Sequence, residues 1–467
     1  MTAEQFATEI ASALPFAPNG QQQLVIGALS RFCSPAAHAD VVFLLNGYAG
    51  TGKTSICGAL VKALRAVGIG SMLLAPTGRA AKVFGGYAGH AAYTIHRKIY
   101  SHPAFGDTAS TVRVVKENKS KNTIFIVDEA SMITGDDHSG GNLLEDLIHY
   151  VYTGDNCKLI LLGDMAQLPP VGSEFSPAMD PDTLRSYGLR VTRATLTETA
   201  RQAAHSGILF NATWLRRAMR VDPLPAPQLK AEGFDDVRLI SPEDMPEELY
   251  AAYNRDGIQE AIVITRSNQR ATGFNREIRQ SVLYLDEELA RGELLIVSKN
   301  NYHWASQVKG LDFIANGDAV VVERVIGTED KYGFRFADVE LSIPETEARF
   351  TAKVMLETLY NETANVSNDR LSQLYYGIMQ DPELFDAFTP ADARLRALKT
   401  NPHWNALQVK YGYAVTCHKA QGGQWRNVFV DMSYIPAEAM GMDFYRWLYT
   451  AVSRARTRLF IIQTLEA

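Results

Sequence analysis

The apolar residues of this chain gather in short unbroken runs instead of alternating with polar ones. The first run is Val41-Val42-Phe43-Leu44-Leu45, followed at once by a Gly-rich turn and a helical pattern through Leu64. Ser71-Met72-Leu73-Leu74-Ala75, Ile124-Phe125-Ile126-Val127 and Lys158-Leu159-Ile160-Leu161-Leu162 repeat the theme. Runs of this kind fit strands buried on both faces, and such strands separated by helices predict a parallel sheet. Ligands of these sheets lie at the carboxyl ends of the strands. There each run gives way to polar or Gly-rich residues. Ahead of the first strand, Gln21-Gln22-Gln23 leads into Leu24-Val25-Ile26 and Ala28-Leu29, a predicted helix.

The pattern returns in weaker form. Ala261-Ile262-Val263-Ile264 ends in Thr265-Arg266-Ser267-Asn268, and Tyr413-Ala414-Val415, Val428-Phe429-Val430 and Leu459-Phe460-Ile461-Ile462 are further strands. This predicts an α/β protein with two parallel-sheet cores. Residues 1–85 and 122–200 form the first, and residues 201–299 and 405–467 the second. An insertion at 300–404 opens with short strands such as Ala319-Val320-Val321-Val322 and Arg335-Phe336-Ala337-Asp338-Val339, which suggest a small barrel, and then turns helical. A smaller insertion at 86–121 separates the second and third strands of the first core.

Composition adds bounds. The 467 residues are 46% hydrophobic and 21% charged, an ordinary globular balance. Length alone is a soft prior for about three domains. No apolar run reaches the length of a membrane span, and the opening Met1-Thr2-Ala3-Glu4-Gln5-Phe6 has no secretory pattern. The cysteines Cys33, Cys57, Cys157 and Cys417 are far apart and fit reduced thiols, so a cytoplasmic location is expected. A net charge of -6 argues against a broad basic surface for nucleic acid but permits a narrow basic channel.

Chemistry enters at the strand ends. Gly47-Tyr48-Ala49-Gly50-Thr51-Gly52-Lys53-Thr54 matches G-x-x-x-x-G-K-[ST] between a strand and a helix, the context the motif demands. Its glycines let backbone N–H groups turn inward around phosphates, and the helix N-terminus adds a favourable dipole. Lys53 is placed to reach the β- and γ-phosphates, and Thr54 offers a hydroxyl to Mg²⁺. Asp128-Glu129-Ala130-Ser131 follows the third strand. Asp128 is expected to hold Mg²⁺ through water, and Glu129 to polarise the attacking water. In Gly163-Asp164-Met165-Ala166-Gln167-Leu168-Pro169-Pro170, Gln167 is placed to sense the γ-phosphate. Phosphoryl transfer also needs positive charge at the transition state, and Arg201 and Arg454 are candidates. Spacing alone reads each arginine more readily as a surface ion pair. The last cluster, Thr416-Cys417-His418-Lys419-Ala420-Gln421-Gly422, again follows a strand.

The order of these motifs resembles the superfamily 1 helicases of the RecD-like and Dda-like branch, relatives of the Pif-type helicases. The specific part is the combination of Ala75-Pro76-Thr77-Gly78-Arg79-Ala80-Ala81, Tyr93-Thr94-Ile95-His96, the Gly163-Asp164 and Gln167-Leu168-Pro169-Pro170 segment, and the 416–422 cluster. The resemblance spans about residues 18 to 462. It implies two RecA-like cores of the P-loop NTPase type, a β-hairpin pin at 86–121 and an SH3-like barrel with a helical extension at 300–404. Asn316-Gly317-Asp318 matches the turn into that barrel. ATP is implied as cofactor with Mg²⁺, held by Gly47, Ala49, Gly50, Thr51, Gly52, Lys53 and Thr54. Gln22 resembles the adenine-reading glutamine, with Gln21 the alternative.

Arg201 and Arg454 fall at the family's two arginine-finger positions. Thr77, Arg79, Thr94 and His96 match DNA-contacting segments of the first core; Asn268, Thr416 and His418 match those of the second, with Lys419 adding charge nearby. Phe105 is the candidate wedge in the pin. ATP is expected between the cores, with Arg454 supplied from the second. The implied partner is single-stranded DNA and its junctions with duplex, with 5′-to-3′ travel. Rival readings are a motor that moves without unwinding, and a nucleotide-controlled switch or small-molecule kinase. Pathway, protein partners and oligomeric state are left open, a monomer being one possibility.

Overall fold

The computed structural model of the chain describes all residues except 1, 35–37, 101–113, 136–140, 171, 199–204, 309, 310, 312, 345–347, 364, 365, 387, 434, 437, 438 and 464–467. Two compact units emerge. The first comprises Met1–Val237, Gln421–Gln424 and Ile435–Ala455; the second comprises Arg238–Ala420, Trp425–Tyr434 and Arg456–Ala467. No helix among the described residues is long and apolar enough to cross a membrane. All four cysteines are buried free thiols, and burial pushes that of Cys33 up to about 12.

The first unit is built on six strands: β1 (Val41–Gly47), β2 (Gly70–Ala75), β3 (Ala92–Thr94), β4 (Thr123–Val127), β5 (Lys158–Gly163) and β6 (Arg190–Leu196). Their order is β3-β2-β4-β5-β1-β6, and every pairing is parallel. Successive side chains of a strand point to opposite faces. In β1, Phe43 and Leu45 therefore join one apolar cluster with Val25, Leu29, Ile56 and Leu60, while Val42 and Leu44 join another with Leu144 and Leu147. Each such side chain removed from water stabilises the fold by about 1.5–3 kcal/mol. Helices on both faces are the physical reason the strand sequences read as unbroken apolar runs.

The boundaries of the small insertion differ from the sequence expectation. Residues 92–94 form β3 of the first sheet, and the following helix, Ile95–Ile99, buries Ile95 and Ile99 completely in its core. A strand of three residues is too short to show a periodicity. Residues 101–113, with Phe105, lie outside the described residues. The edge strand β6 escaped notice for the opposite reason: its Arg190, Thr192, Arg193 and Thr195 break any apolar run.

The second unit holds the other α/β sheet, from β7 (Val237–Ile240), β8 (Ala261–Thr265), β14 (Ala414–Thr416), β15 (Trp425–Asp431) and β16 (Ala455–Ile462), in the order β14-β8-β15-β16-β7. β8 is parallel to both neighbours. A closed barrel is formed by β9 (Leu294–Val297), β10 (Ala319–Lys331), β11 (Phe334–Ile343), β12 (Ala348–Met355) and β13 (Leu407–Tyr411). The architecture is thus the expected pair of α/β cores with a small barrel. The barrel takes its closing strands β9 and β13 from outside 300–404, because a barrel needs every edge paired. β10 and β11 form a long hairpin whose turn residues Tyr332 and Gly333 have φ of +57° and +75°, as a two-residue hairpin turn requires. The helices Asn368–Met379 and Ala391–Thr400 pack Leu374, Ile378 and Leu398 against Phe334, Phe336 and Met355 of the barrel.

Candidate active site

Sheet order decides what can meet. The phosphate loop leaves the carboxyl end of β1, the Asp164–Gln167 segment leaves its neighbour β5, and Asp128 and Glu129 follow β4 on the far side of β5. Thr77 and Thr94 follow β2 and β3 at one side of the same edge. The ATP candidates and the first-unit DNA candidates therefore share one edge of one sheet.

The loop starts with Gly47 paired to Leu196 of β6 and ends where the helix Lys53–Ala66 begins. Gly52 caps this helix in the left-handed region, φ +86°, with no side chain on its first N–H groups. Uncapped N–H groups and the helix dipole make an anion site. A Cβ at Gly52 would also come within 2.8 Å of Gln22 Nε2, so only glycine fits. Gln22 donates to the Thr51 carbonyl at 3.0 Å, and its Oε1 accepts from Asn19 N–H. Gln21 instead binds Thr197 and Glu198 after β6. Of the two glutamines, Gln22 is the one on the phosphate loop. The Lys53 ammonium donates to the carbonyls of Gly47 and Tyr48.

Asp128 and Glu129 adjoin a buried guanidinium. Glu129 has φ +52°, a left-handed conformation that costs a non-glycine residue about 1–2 kcal/mol. Its N–H donates to Asp128 Oδ1 at 2.8 Å. Glu129 Oε1 lies 3.5 Å from Arg454 Nη1. Arg454 is 3% exposed and also donates to the carbonyls of Thr450 and Gly423 and to Ser453 Oγ. Burial, and then the charge of Glu129, push the Asp128 carboxyl up to about 6, with Lys53 the chief opposing influence. Crowded oxygen donors suit a hard divalent cation. Among the described residues no group of three or more His, Cys, Asp or Glu could hold a metal by itself. Mg²⁺ in general uses few protein oxygens and completes its shell with phosphate and water. Asp128 and Thr54 are the residues that would hold it.

The segment after β5 is fixed from several sides. Asp164 is 1% exposed; Tyr449 donates its hydroxyl proton to Asp164 Oδ2 at 2.6 Å and accepts the N–H of Ala49 at 3.0 Å. Burial raises the Asp164 carboxyl, opposed mainly by Lys53, and also raises the Tyr449 hydroxyl, reinforced by Asp164. Thr450 Oγ1 accepts from Leu168 N–H at 2.9 Å, and Gln421 donates to the Leu168 carbonyl at 2.8 Å. Gln167 Oε1 and Ser131 Oγ are buried with no hydrogen-bond partner. Both line a cavity of about 270 Å³ with Asp164, Leu168, Phe175 and Arg446. An orphaned acceptor beside Asp164 fits a residue that waits for a ligand.

Sequence reasoning placed Arg454 with the second core, and the structure places it in the first unit. The cause is its helix, Met442–Val452, in which 447–452 are all buried; Tyr445 stacks on Trp214 at 6.4 Å. Tyr449, Thr450 and Gln421 were missed. A helix apolar all round is a buried one, and a tyrosine in it must find a partner for its hydroxyl, which was the available signal. Arg201 lies outside the described residues.

The DNA candidates divide by unit. In the first, Thr77 and Thr94 accept from Ala80 and Arg97 N–H as helix caps, Arg79 is half-buried, and the His96 ring lies 5.5 Å from that of Tyr100. Gly422, φ +73°, passes so close that a Cβ would meet Ala80 Cβ at 2.7 Å. In the second unit, Asn268 and Thr416 stand at the carboxyl ends of β8 and β14, with His418 exposed and Lys419 half-buried. Asn268 opens a helix capped by Ser267.

Comparison with known proteins adds an independent line. Residues 28–219 match the AAA domain family, and residues 411–462 match the UvrD-like helicase C-terminal domain family. The chain is 25% identical over 431 residues to the ATP-dependent RecD2 DNA helicase of Deinococcus radiodurans, across 91% of its own length. These matches make the chain similar in sequence to superfamily 1 helicases of the RecD-like branch. It spans 47% of the length of the RecD2 relative. The chain is also 22% identical to the uncharacterized protein R530 of Acanthamoeba polyphaga mimivirus, covering 95% of the chain and all of that protein. Among solved structures, Pif1 helicase from Bacteroides with ADP-AlF3 and single-stranded DNA aligns at a TM-score of 0.49 and 16% identity, covering 96% of this chain and 92% of that one. Pif1 from Candida albicans aligns at 0.46 and 16%, covering 96% and 94%.

Proposed function

We propose that this chain is an ATP-dependent DNA helicase that translocates 5′-to-3′ on single-stranded DNA and unwinds duplex ahead of it. The observation that carries the proposal is the meeting, at one sheet edge, of an uncapped glycine-rich phosphate loop with Glu129, Asp164, Gln167 and a buried Arg454. In this reading the loop N–H groups and Lys53 bind the phosphates, Gln22 reads the adenine, and Glu129 orients and deprotonates the attacking water. Asp128 and Thr54 would hold Mg²⁺, which would supply positive charge to the phosphates. Arg454, and Arg201 beside it in role, stabilise the charge that builds on the transferring group. Gln167 senses the γ-phosphate. Thr77, Arg79, Thr94, His96, Asn268, Thr416 and His418 grip the DNA, and Phe105 is the splitting residue. The 5′-to-3′ direction and the DNA track are supported by resemblance to RecD-like and Pif-type helicases.

The test is unwinding of forked and single-tailed duplexes by the full chain. Unwinding of 5′-tailed and not 3′-tailed duplex is expected, with ATP hydrolysis raised by single-stranded DNA. ATPase stimulation without unwinding would favour a motor that only walks; hydrolysis indifferent to DNA would favour a nucleotide switch. Lys53→Ala is expected to abolish hydrolysis, by about 100-fold or more, while single-stranded DNA is still bound. A Lys53→Ala variant with wild-type turnover would overturn the site assignment.

A further inference from the structure

We infer that Tyr449 is a positioning residue for ATP hydrolysis, one that sets the phosphate loop against the Asp164–Gln167 segment through its hydroxyl. The inference rests on the proposed ATPase reading and goes beyond it. The proton accounting is fixed by the partners. Ala49 N–H can only donate, so the Tyr449 oxygen is the acceptor there at 3.0 Å. The hydroxyl proton then goes to Asp164 Oδ2 at 2.6 Å. Asp164 Oδ1 accepts from Ala166 N–H at 3.0 Å, and the Asp164 carbonyl accepts from Gln167 N–H. Donors from the phosphate loop, through one hydroxyl, and from the Gln167 segment thus converge on the Asp164 carboxylate. Tyr449 is 1% exposed, so water does not substitute for either bond.

The neighbouring side chains extend the role. Thr450 holds the Leu168 N–H, and Arg454, one turn further on, reaches Glu129. Three segments from three strand ends are therefore indexed to one helix that is some 400 positions away along the chain from the loop it fixes. Without the hydroxyl, Ala49 N–H and the Asp164 carboxylate each lose a buried partner. The loop and the Gln167 segment can then shift relative to one another with no change in packing of the ring.

The test is Tyr449→Phe in the full chain, which keeps the ring and removes only the oxygen. DNA-stimulated ATPase kinetics, affinity for single-stranded DNA without nucleotide, and thermal melting are measured together. kcat/KM for ATP is expected to fall about tenfold, the order for one buried hydrogen bond to a charged group. DNA affinity without nucleotide should stay within twofold. A residue that merely supports the fold would lower both in step with the melting temperature. Asp164→Asn and the double variant complete a cycle. If Tyr449 acts through Asp164, the double variant is no worse than the poorer single one. Wild-type kcat/KM in Tyr449→Phe, or losses that multiply in the double variant, would overturn the inference. A wild-type chain with no ATPase activity would instead remove the reading beneath it.

Discussion

Replacing Arg454 by lysine separates the role its contacts give it in the fold from the catalytic role proposed for it. The guanidinium is 4% exposed and makes three hydrogen bonds, to the Thr450 and Gly423 carbonyls and to Ser453 Oγ, beside its 3.5 Å ion pair with Glu129. A lysine keeps the charge but not the fork, so at least one of these carbonyls loses its partner. Each lost bond to a charged group costs about 1.5–3 kcal/mol. At about 2–4 °C per kcal/mol for a domain of this size, one lost bond should lower the melting temperature of the first unit by about 3–12 °C. The catalytic effect is of a different order. Arginine fingers of phosphoryl-transfer enzymes supply about 10³–10⁵ in kcat, or about 4–7 kcal/mol of transition-state stabilisation. Arg454→Lys should therefore reduce DNA-stimulated kcat by about 100-fold or more at 25 °C, where the variant is still folded, with KM for ATP changed by less than about threefold. The assay is phosphate release at saturating oligothymidylate, with circular dichroism as the folding control. A kcat within about threefold of wild type, alongside the lowered melting temperature, would show that Arg454 only neutralises Glu129 within the fold.

Two further expectations concern the second unit. Glu293 is fully buried and accepts from Arg279 Nε at 2.7 Å, Arg279 Nη2, the Tyr413 hydroxyl and Ala290 N–H. Glu293→Ala leaves the Arg279 charge buried without its partner and should destabilise by about 3–5 kcal/mol in denaturant melts, whereas Arg279→Met with Glu293→Leu should recover most of the loss. Gly333→Ala, at φ +75°, should lower stability by about 1–2 kcal/mol; an unchanged melt would mean the hairpin turn relaxes to another type.

How much of this was legible in the sequence follows from the range of each interaction. The phosphate loop was readable because eight consecutive residues carry its chemistry and a strand and a helix bracket them. Asp128 and Glu129 were readable because they close an unbroken apolar run, and Gln167 because it follows another by a few residues. Tyr449 was not, since its two partners lie 400 and 285 positions away and its immediate neighbours read only as a buried helix. The barrel was visible in its middle strands and not at its seams. β9 is four apolar residues and β13 is five residues in which apolar ones alternate with Gln408 and Lys410, and nothing local says whether so short a segment pairs within an α/β sheet or closes a barrel. Thr77 and Thr94 show a different limit: a threonine before a helix is also its cap, and capping accounts for both side chains without DNA.

The placement of 435–455 bears on how the first unit is completed. Sequence continuity suggests that an ATP-binding domain ends where its last strand ends, near 200. The structure closes that domain's site with a helix made after most of the second unit has been strung along the chain. This helix is not a lid of weak contacts. Its 447–452 stretch is buried, Tyr445 donates to the Pro225 carbonyl, Tyr449 joins the phosphate loop to Asp164, Thr450 holds Leu168 of the same segment, and Arg454 just beyond the helix reaches Glu129. The phosphate loop alone is a local structure that residues 1–237 contain in full. Its alignment with Asp164, Leu168 and Glu129 is not, because the groups that impose it come from 435–455. On the proposed ATPase reading, nucleotide binding and nucleotide hydrolysis draw on different stretches of the sequence: the first on a motif that any P-loop protein shares, the second on a segment whose contacts form only when the chain is folded.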